Sequence, residues 1–304
     1  IKPGAMSSNV VTKNYFISNE GPDRFTLPVV AISLDENLLF DYQNGIHVAG
    51  VDYDNWRAEN PTDVAHNSNA NYKRSGDQWE IKGNFSFFND NTEILNQDIG
   101  IRIHGGFTRT HPQKSLRLYA RGEFGESNFN HSLFNNPNYN SYKRLILRNS
   151  GNDAYSTYFR DAFIQKTVAH LNVDTQDYQP TITFINGEFW GILNLRERYD
   201  KHYFKRVYGI EDGELDFLEY NGYLVQEGDF DHYANMFHFI ENNDLQDPTN
   251  YNYVETQMDT ENFTDHFITN IYARNTDWPH NNIEFWRKRT TQYEPNATYG
   301  QDGR

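Results

Sequence analysis

The run Thr181-Ile182-Thr183-Phe184-Ile185, then Asn186-Gly187, then Phe189-Trp190-Gly191-Ile192-Leu193-Asn194-Leu195 constrains the fold more than any other stretch. Two β-branched and aromatic runs joined across Asn-Gly are a strong short-range hairpin signature, because both central residues of the tight turn need positive φ. A chain that carries it must build antiparallel sheet. The residues before it read the same way. Strands are predicted at residues 25–34, at 79–88 up to the turn-former Asn89-Asp90-Asn91, at 101–104, at 114–121 and at 143–149. Ile99, flanked by Asp98 and Gly100, is left outside these strands. Residues 41–55 are rich in Tyr, Asp, Asn and Gly and read as turns. Residues 58–77 are polar without periodicity and read as a loop or an ordered insertion.

Helical spacing enters at Phe159, Phe163, Ile164, Thr167, Val168 and Leu171, and takes over from about Tyr203. Phe230, Tyr233, Phe237 and Ile240 mark one further helix. Phe263, Phe267, Ile268, Ile271 and Tyr272 mark another, with Asp259 or Thr260 as its N-cap. A strand follows at residues 283–287. The order predicts an α+β chain. It divides into an N-terminal extension (1–24), a β-rich first lobe with one helix (25–200), and a helical second lobe (201–304).

The chain has 304 residues, no cysteine, and a net charge of −15. Without cysteine there is no disulfide, no thiolate zinc site and no thiol nucleophile. So acidic a chain lacks the basic footprint of a general nucleic-acid binder. It suits basic partners or divalent cations. Mean hydropathy is −0.85, and no run reaches the length of a transmembrane segment. Aromatic residues are 16% of the chain, enough for a core that is poor in aliphatics.

Two stretches carry chemistry. In Arg274-Asn275-Thr276-Asp277-Trp278-Pro279-His280-Asn281-Asn282, between a helix and a strand, Asp277 and Asn282 have the spacing of a kinase catalytic loop. There the Asp takes the acceptor hydroxyl's proton and the Asn holds Mg²⁺. A structured turn accounts for the same residues equally well. Upstream, Gly105-Gly106-Phe107-Thr108-Arg109-Thr110-His111-Pro112-Gln113 leads into a strand that begins at Lys114. Glycine backbone and a lysine charge can together clamp phosphate; a hairpin with a solvated lysine is the plainer reading. There is no H-E-x-x-H and no G-x-S-x-G, and the 11 histidines show no ligand spacing.

Taken together these segments resemble the CotH (spore coat protein H) kinase family. Ile101-Arg102-Ile103-His104-Gly105-Gly106, continuing through Pro112-Gln113-Lys114-Ser115-Leu116-Arg117-Leu118, resembles its Gly-rich loop and lysine strand. The hairpin around Asn186-Gly187, with Arg196-Glu197, resembles its next signature. Asn275 to Asn282 resembles its catalytic loop. The resemblance implies a two-lobed atypical protein kinase-like fold and a secreted, surface or spore-coat bacterial protein kinase. It implies transfer of the ATP γ-phosphoryl group, with Mg²⁺ or Mn²⁺, to Ser or Thr of a basic coat or surface protein. By position, Asp277 and Lys114 are catalytic, and Asn282 is a metal ligand. Gly105, Gly106, Arg109, Lys114, Arg148 and Glu197 bind the nucleotide, with Arg160 a weaker candidate. The family places a further metal-binding Asp after the strand that follows the catalytic loop. Asp302 reads as a turn residue, so the second lobe is expected to be C-terminally incomplete. The alternative is a catalytically inactive structural or adhesion module on the same fold.

Overall fold

A computed structural model describes residues 10–304. The elements run β1 (Val29–Ser33), α1 (Glu36–Phe40), α2 (Gly50–Glu59), β2 (Ile81–Asn89), β3 (Thr92–His104), β4 (Ser115–Tyr119), β5 (Arg144–Arg148), α3 (Arg160–Val168), β6 (Tyr178–Ile185) and β7 (Glu188–Glu197). Then come α4 (Lys201–Tyr208), β8 (Leu215–Glu219), β9 (Leu224–Glu227), α5 (Asp231–Asn242), α6 (Pro248–Glu255), α7 (Thr260–Tyr272) and β10 (Glu284–Lys288). They form two compact units. One runs to Arg160 and takes in Asp177–Glu197; the other comprises Asp161–Gln176 and Arg198–Arg304.

In the first unit seven strands close into a barrel in the order β1-β2-β3-β4-β5-β7-β6. All neighbours are antiparallel except β1 and β6, which pair in parallel and seal it. The side chains that fill it follow from register. Ile101 lies opposite Leu118, Leu118 opposite Leu145, and Leu116 opposite Leu147. Residues paired across a ladder share a face, so these apolar positions stack inward and merge with Val30, Ile32, Phe85, Ile99, Leu193 and Leu195 into one core. The β6–β7 turn is built as the sequence predicts: Asn186 and Gly187 both have positive φ, 51° and 82°. Asp90 and Asn91 make the β2–β3 turn the same way, at 46° and 61°.

The expected two-lobed kinase-like fold is not what forms. A closed seven-stranded mixed barrel stands where the β-rich lobe of that fold was expected, and the helical portion holds a three-stranded sheet of its own, ordered β10-β8-β9. Strand patterning in sequence shows where strands are, not whether the first and last of them meet. Closure rests on the β1–β6 pairing of distant segments, for which no local signal exists. Three smaller readings also change. Residues read as turns before 55 include the start of α2, and Ile99 is a fully buried part of β3. β8 and β9 lie where only helix was expected. α3 forms, but of its residues Ala162 alone is fully buried.

In the second unit α4 packs on this sheet through Tyr203, Phe204, Ile210, Leu215 and Phe217, with Trp286 and Tyr208 against them. Asp174 fastens the Asp161–Gln176 segment to it, accepting from Tyr208 Oη and, at 2.7 Å, from Trp286 Nε1. Burial pushes the Asp174 carboxyl up despite these donors. Among the described residues no helix is long and apolar enough to cross a membrane.

Candidate functional site

At one end of the barrel the β3–β4 loop is shaped by glycine. Gly105 has φ 104°, and a Cβ there would meet Thr108 Oγ1 at 2.5 Å. Gly106 sits at φ −101°, ψ −100°, outside the regions an L side chain favours. Arg109 clamps this loop. Its Nε donates to the Gly105 carbonyl and its Nη1 to the carbonyls of Tyr72, Lys73 and Arg74, at 3.2–3.4 Å for the last three. The loop is thereby tied to the segment between β1 and β2. Gln113 ties it to the hairpin, donating from Nε2 to Trp190 O at 2.8 Å; Gly191 (φ 109°) leaves the room.

Lys114 follows, only 5% exposed. Its Nζ donates to the His111 carbonyl at 2.7 Å and lies 4.6 Å from the centre of the Tyr72 ring. No carboxylate touches it among the described residues. Burial pushes the ammonium down to about 8. His47 stands close enough to feel the Lys114 charge; burial first, then that charge, holds its imidazole down to about 3. His111 is lowered by the same two causes. Nε2 of His47 and Nδ1 of His111 are both buried and have no hydrogen-bond partner. Arg109 is lowered as well, by burial and then by Arg117. Within a strongly acidic chain this is a cluster of buried positive charge and partnerless ring nitrogens. An anion with several acceptor oxygens, such as a phosphate chain, is the kind of ligand whose charge such a cluster complements.

Around it, Asn149 links β4 to the loop after β5. It accepts from Ser115 Oγ at 2.9 Å and from Gly151 N at 3.1 Å, and donates to Gln113 O at 2.7 Å. Arg148 precedes it on β5; its Nη2 lies 3.0 Å from the place a Cβ on Gly151 would take. Glu197, buried at the end of β7, accepts from Asp177 N at 2.9 Å. Arg160 pairs with Asp153 at 3.1 Å.

Asp277 and Asn282 belong to the second unit. α7 starts at the N-cap Asp259, whose carboxylate accepts from Asn262 N at 2.9 Å, and stops where Arg274 takes positive φ. Trp278 then packs on Phe267, ring centres 4.6 Å apart, and anchors the loop to α7. Between these anchors the Asp277 carboxylate is held by two amides. Asn281 Nδ2 donates to Oδ1 at 3.1 Å and Asn282 Nδ2 to Oδ2 at 2.7 Å. With its NH₂ so engaged, Asn282 has its amide oxygen left to give. That amide oxygen is of the kind a hard divalent cation takes, and the carboxylate beside it is of the kind that can take a proton. Among the described residues no three His, Asp or Glu side chains gather into a cage. Asp302 is a turn residue, accepting from Arg304 N at 3.0 Å and Arg304 Nε at 2.9 Å.

A family model described as CotH kinase protein matches residues 101–299, more than half of the chain. The chain belongs to the CotH kinase family. No curated protein matches it. The family match takes in the Gly105 loop, Lys114, the Asn186-Gly187 turn, Asp277 and Asn282. It leaves β1, β2 and the segment between them outside. His47 and Tyr72 lie in that segment, and sequence reasoning missed both. Neither stands in a recognisable spacing; only the fold carries them to Lys114.

Proposed function

We propose that this CotH-family chain is a protein kinase domain. It takes ATP with Mg²⁺ or Mn²⁺ and phosphorylates Ser or Thr in a basic coat or surface protein. The observation that supports the reading is Lys114: a buried ammonium with no carboxylate partner among the described residues, close to two partnerless imidazole nitrogens, favours an anion there. Lys114 binds the phosphate chain, and the glycine backbone of Gly105 and Gly106 lets that chain approach closely. Asp277, steadied by Asn281 and Asn282, orients the acceptor hydroxyl and takes its proton as the oxygen attacks the γ-phosphorus; the bond from that phosphorus to the β,γ-bridging oxygen breaks and ADP leaves with the electron pair. Asn282 offers its amide oxygen to the metal ion. That ion, when bound, neutralises charge on the phosphate oxygens. Arg148, on β5 just before Asn149, takes a supporting place beside the phosphate site.

The test is transfer of labelled phosphate from ATP to a basic Ser-containing peptide by the full-length protein. Asp277→Asn is expected to lower the rate by about 10²-fold or more. Lys114→Met is expected to abolish nucleotide-dependent thermal stabilisation. Wild-type rates from both variants overturn the assignment.

A further inference from the structure

Part of the surroundings of Lys114 lies outside the family match. Residues 41–79 are held down by buried polar contacts. Asn71, fully buried, accepts from Asp52 N at 3.1 Å and donates to Tyr42 O at 3.1 Å and Gly45 O at 3.3 Å. Tyr72 N donates to Val48 O at 3.1 Å and Asn71 N to Ala49 O at 2.8 Å, so the strip after His47 is paired with the strip that holds Tyr72. Tyr72 in turn puts its ring beside the Lys114 ammonium. The His47 ring is bracketed edge-on by Phe40 at 5.6 Å and Trp190 at 5.3 Å. Its Nε2 is buried without a partner, which costs free energy unless something supplies an acceptor.

We propose that His47 is a further binding residue of this site: its Nε2–H donates to a phosphoryl oxygen of the anion that Lys114 holds, so the segment between β1 and β2 supplies the second half of the phosphate site. The inference rests on the kinase reading for the identity of the nucleotide, but not for the presence of an anion. Arg109 acts here as a positioning residue. Its fork is engaged by four backbone carbonyls of the Gly105 loop and of residues 72–74, and it holds the two walls together. Tyr72 lets the ammonium stay out of water between binding events.

The probe is inorganic tripolyphosphate, with ATP in parallel, titrated calorimetrically into the full-length protein. His47→Phe keeps a ring between Phe40 and Trp190 and removes both nitrogens; His47→Gln loses the ring and returns an N–H donor. The proposal expects His47→Phe to weaken both ligands by about tenfold or more and His47→Gln to hold nearer wild type. A packing role alone gives the reverse order, which overturns it. In wild type the His47 imidazole ¹⁵N resonances should move on adding tripolyphosphate, a readout that depends on no variant; unmoved resonances overturn the proposal. Tripolyphosphate binding without phosphotransfer sinks the kinase reading and leaves the anion site. Phosphotransfer that His47→Phe leaves intact, with unchanged affinity, does the opposite.

Discussion

Lys114 is expensive to keep. Its ammonium is out of water with one carbonyl and one aromatic face for company, and this is why its proton is held less tightly than usual. The consequence for stability has a definite sign. The folded-state value is about 8 against an ordinary 10.5. Between those pH values the unfolded chain binds more protons at this position than the folded one. Stability therefore rises with pH across that window through this group, and below it the whole penalty is present. Lys114→Met should accordingly be more stable than wild type at pH 7, by on the order of 1 kcal/mol, and should lose part of the rise between pH 8 and 10. Urea unfolding at several pH values measures both; a variant less stable than wild type at pH 7 refutes the account. The sequence marked Lys114 from its place after a glycine loop at the head of a strand. It did not show the burial, because Tyr72, whose ring lies at the ammonium, and His47, which feels its charge, come from residues that read locally as turns and loop.

Elements were legible where a local rule fixes backbone geometry and illegible where tertiary contacts do. The Asn186-Gly187 turn and the Asp259 cap follow from side-chain chemistry at single positions and form as expected. α2 does not follow from such rules. None of its residues is fully buried, so it has no apolar stripe to read. It is held instead by the Arg74–Asp52 pair at 2.6 Å and by Arg57, which stacks on Trp56 and donates to carbonyls past the helix end. Within the hairpin two glycines separate conformational strain from lost contact. Gly187 (φ 82°) has open space where a Cβ would go, whereas at Gly191 (φ 109°) a Cβ would come within 2.6 Å of Gln113 Nε2. Gly187→Ala should cost about 1 kcal/mol from backbone strain alone. Gly191→Ala should cost more, and it should also weaken ATP binding, because it displaces the residue next to Lys114. Thermal unfolding with and without ATP separates the two effects. Equal stability losses, with ATP affinity untouched in both, would show that Gln113 does not position the loop.

At the scale of the whole molecule, periodicity separated strand from helix in most places but could not reveal closure, which depends on the parallel β1–β6 pairing of segments far apart in the chain. Charge behaves differently, since it can be counted without knowing the fold; the fold only shows where it gathers. Between Val207 and Trp286 the chain carries seventeen acidic residues and one basic residue, Arg274. That stretch holds β8, β9, α5, α6, α7 and the Asp277 loop. It also exposes Tyr251, Tyr253 and Tyr272, rings on which Lys or Arg can rest. Lys114 and Arg109, the cations of the proposed anion site, lie by contrast in the other unit. Two ligands of opposite charge are thus expected to answer salt differently. A basic Ser-containing peptide meets a field summed over many exposed carboxylates, which mobile ions screen. Its affinity, followed by fluorescence anisotropy, should fall by about tenfold or more between roughly 0.05 and 0.5 M salt, mostly through a slower association rate. At the proposed anion site the ammonium is buried and less screened, so tripolyphosphate affinity should fall less over the same range. A peptide affinity flat in salt would remove the acidic stretch from any part in substrate capture, and would turn the search for the docking surface to the exposed aromatic side chains.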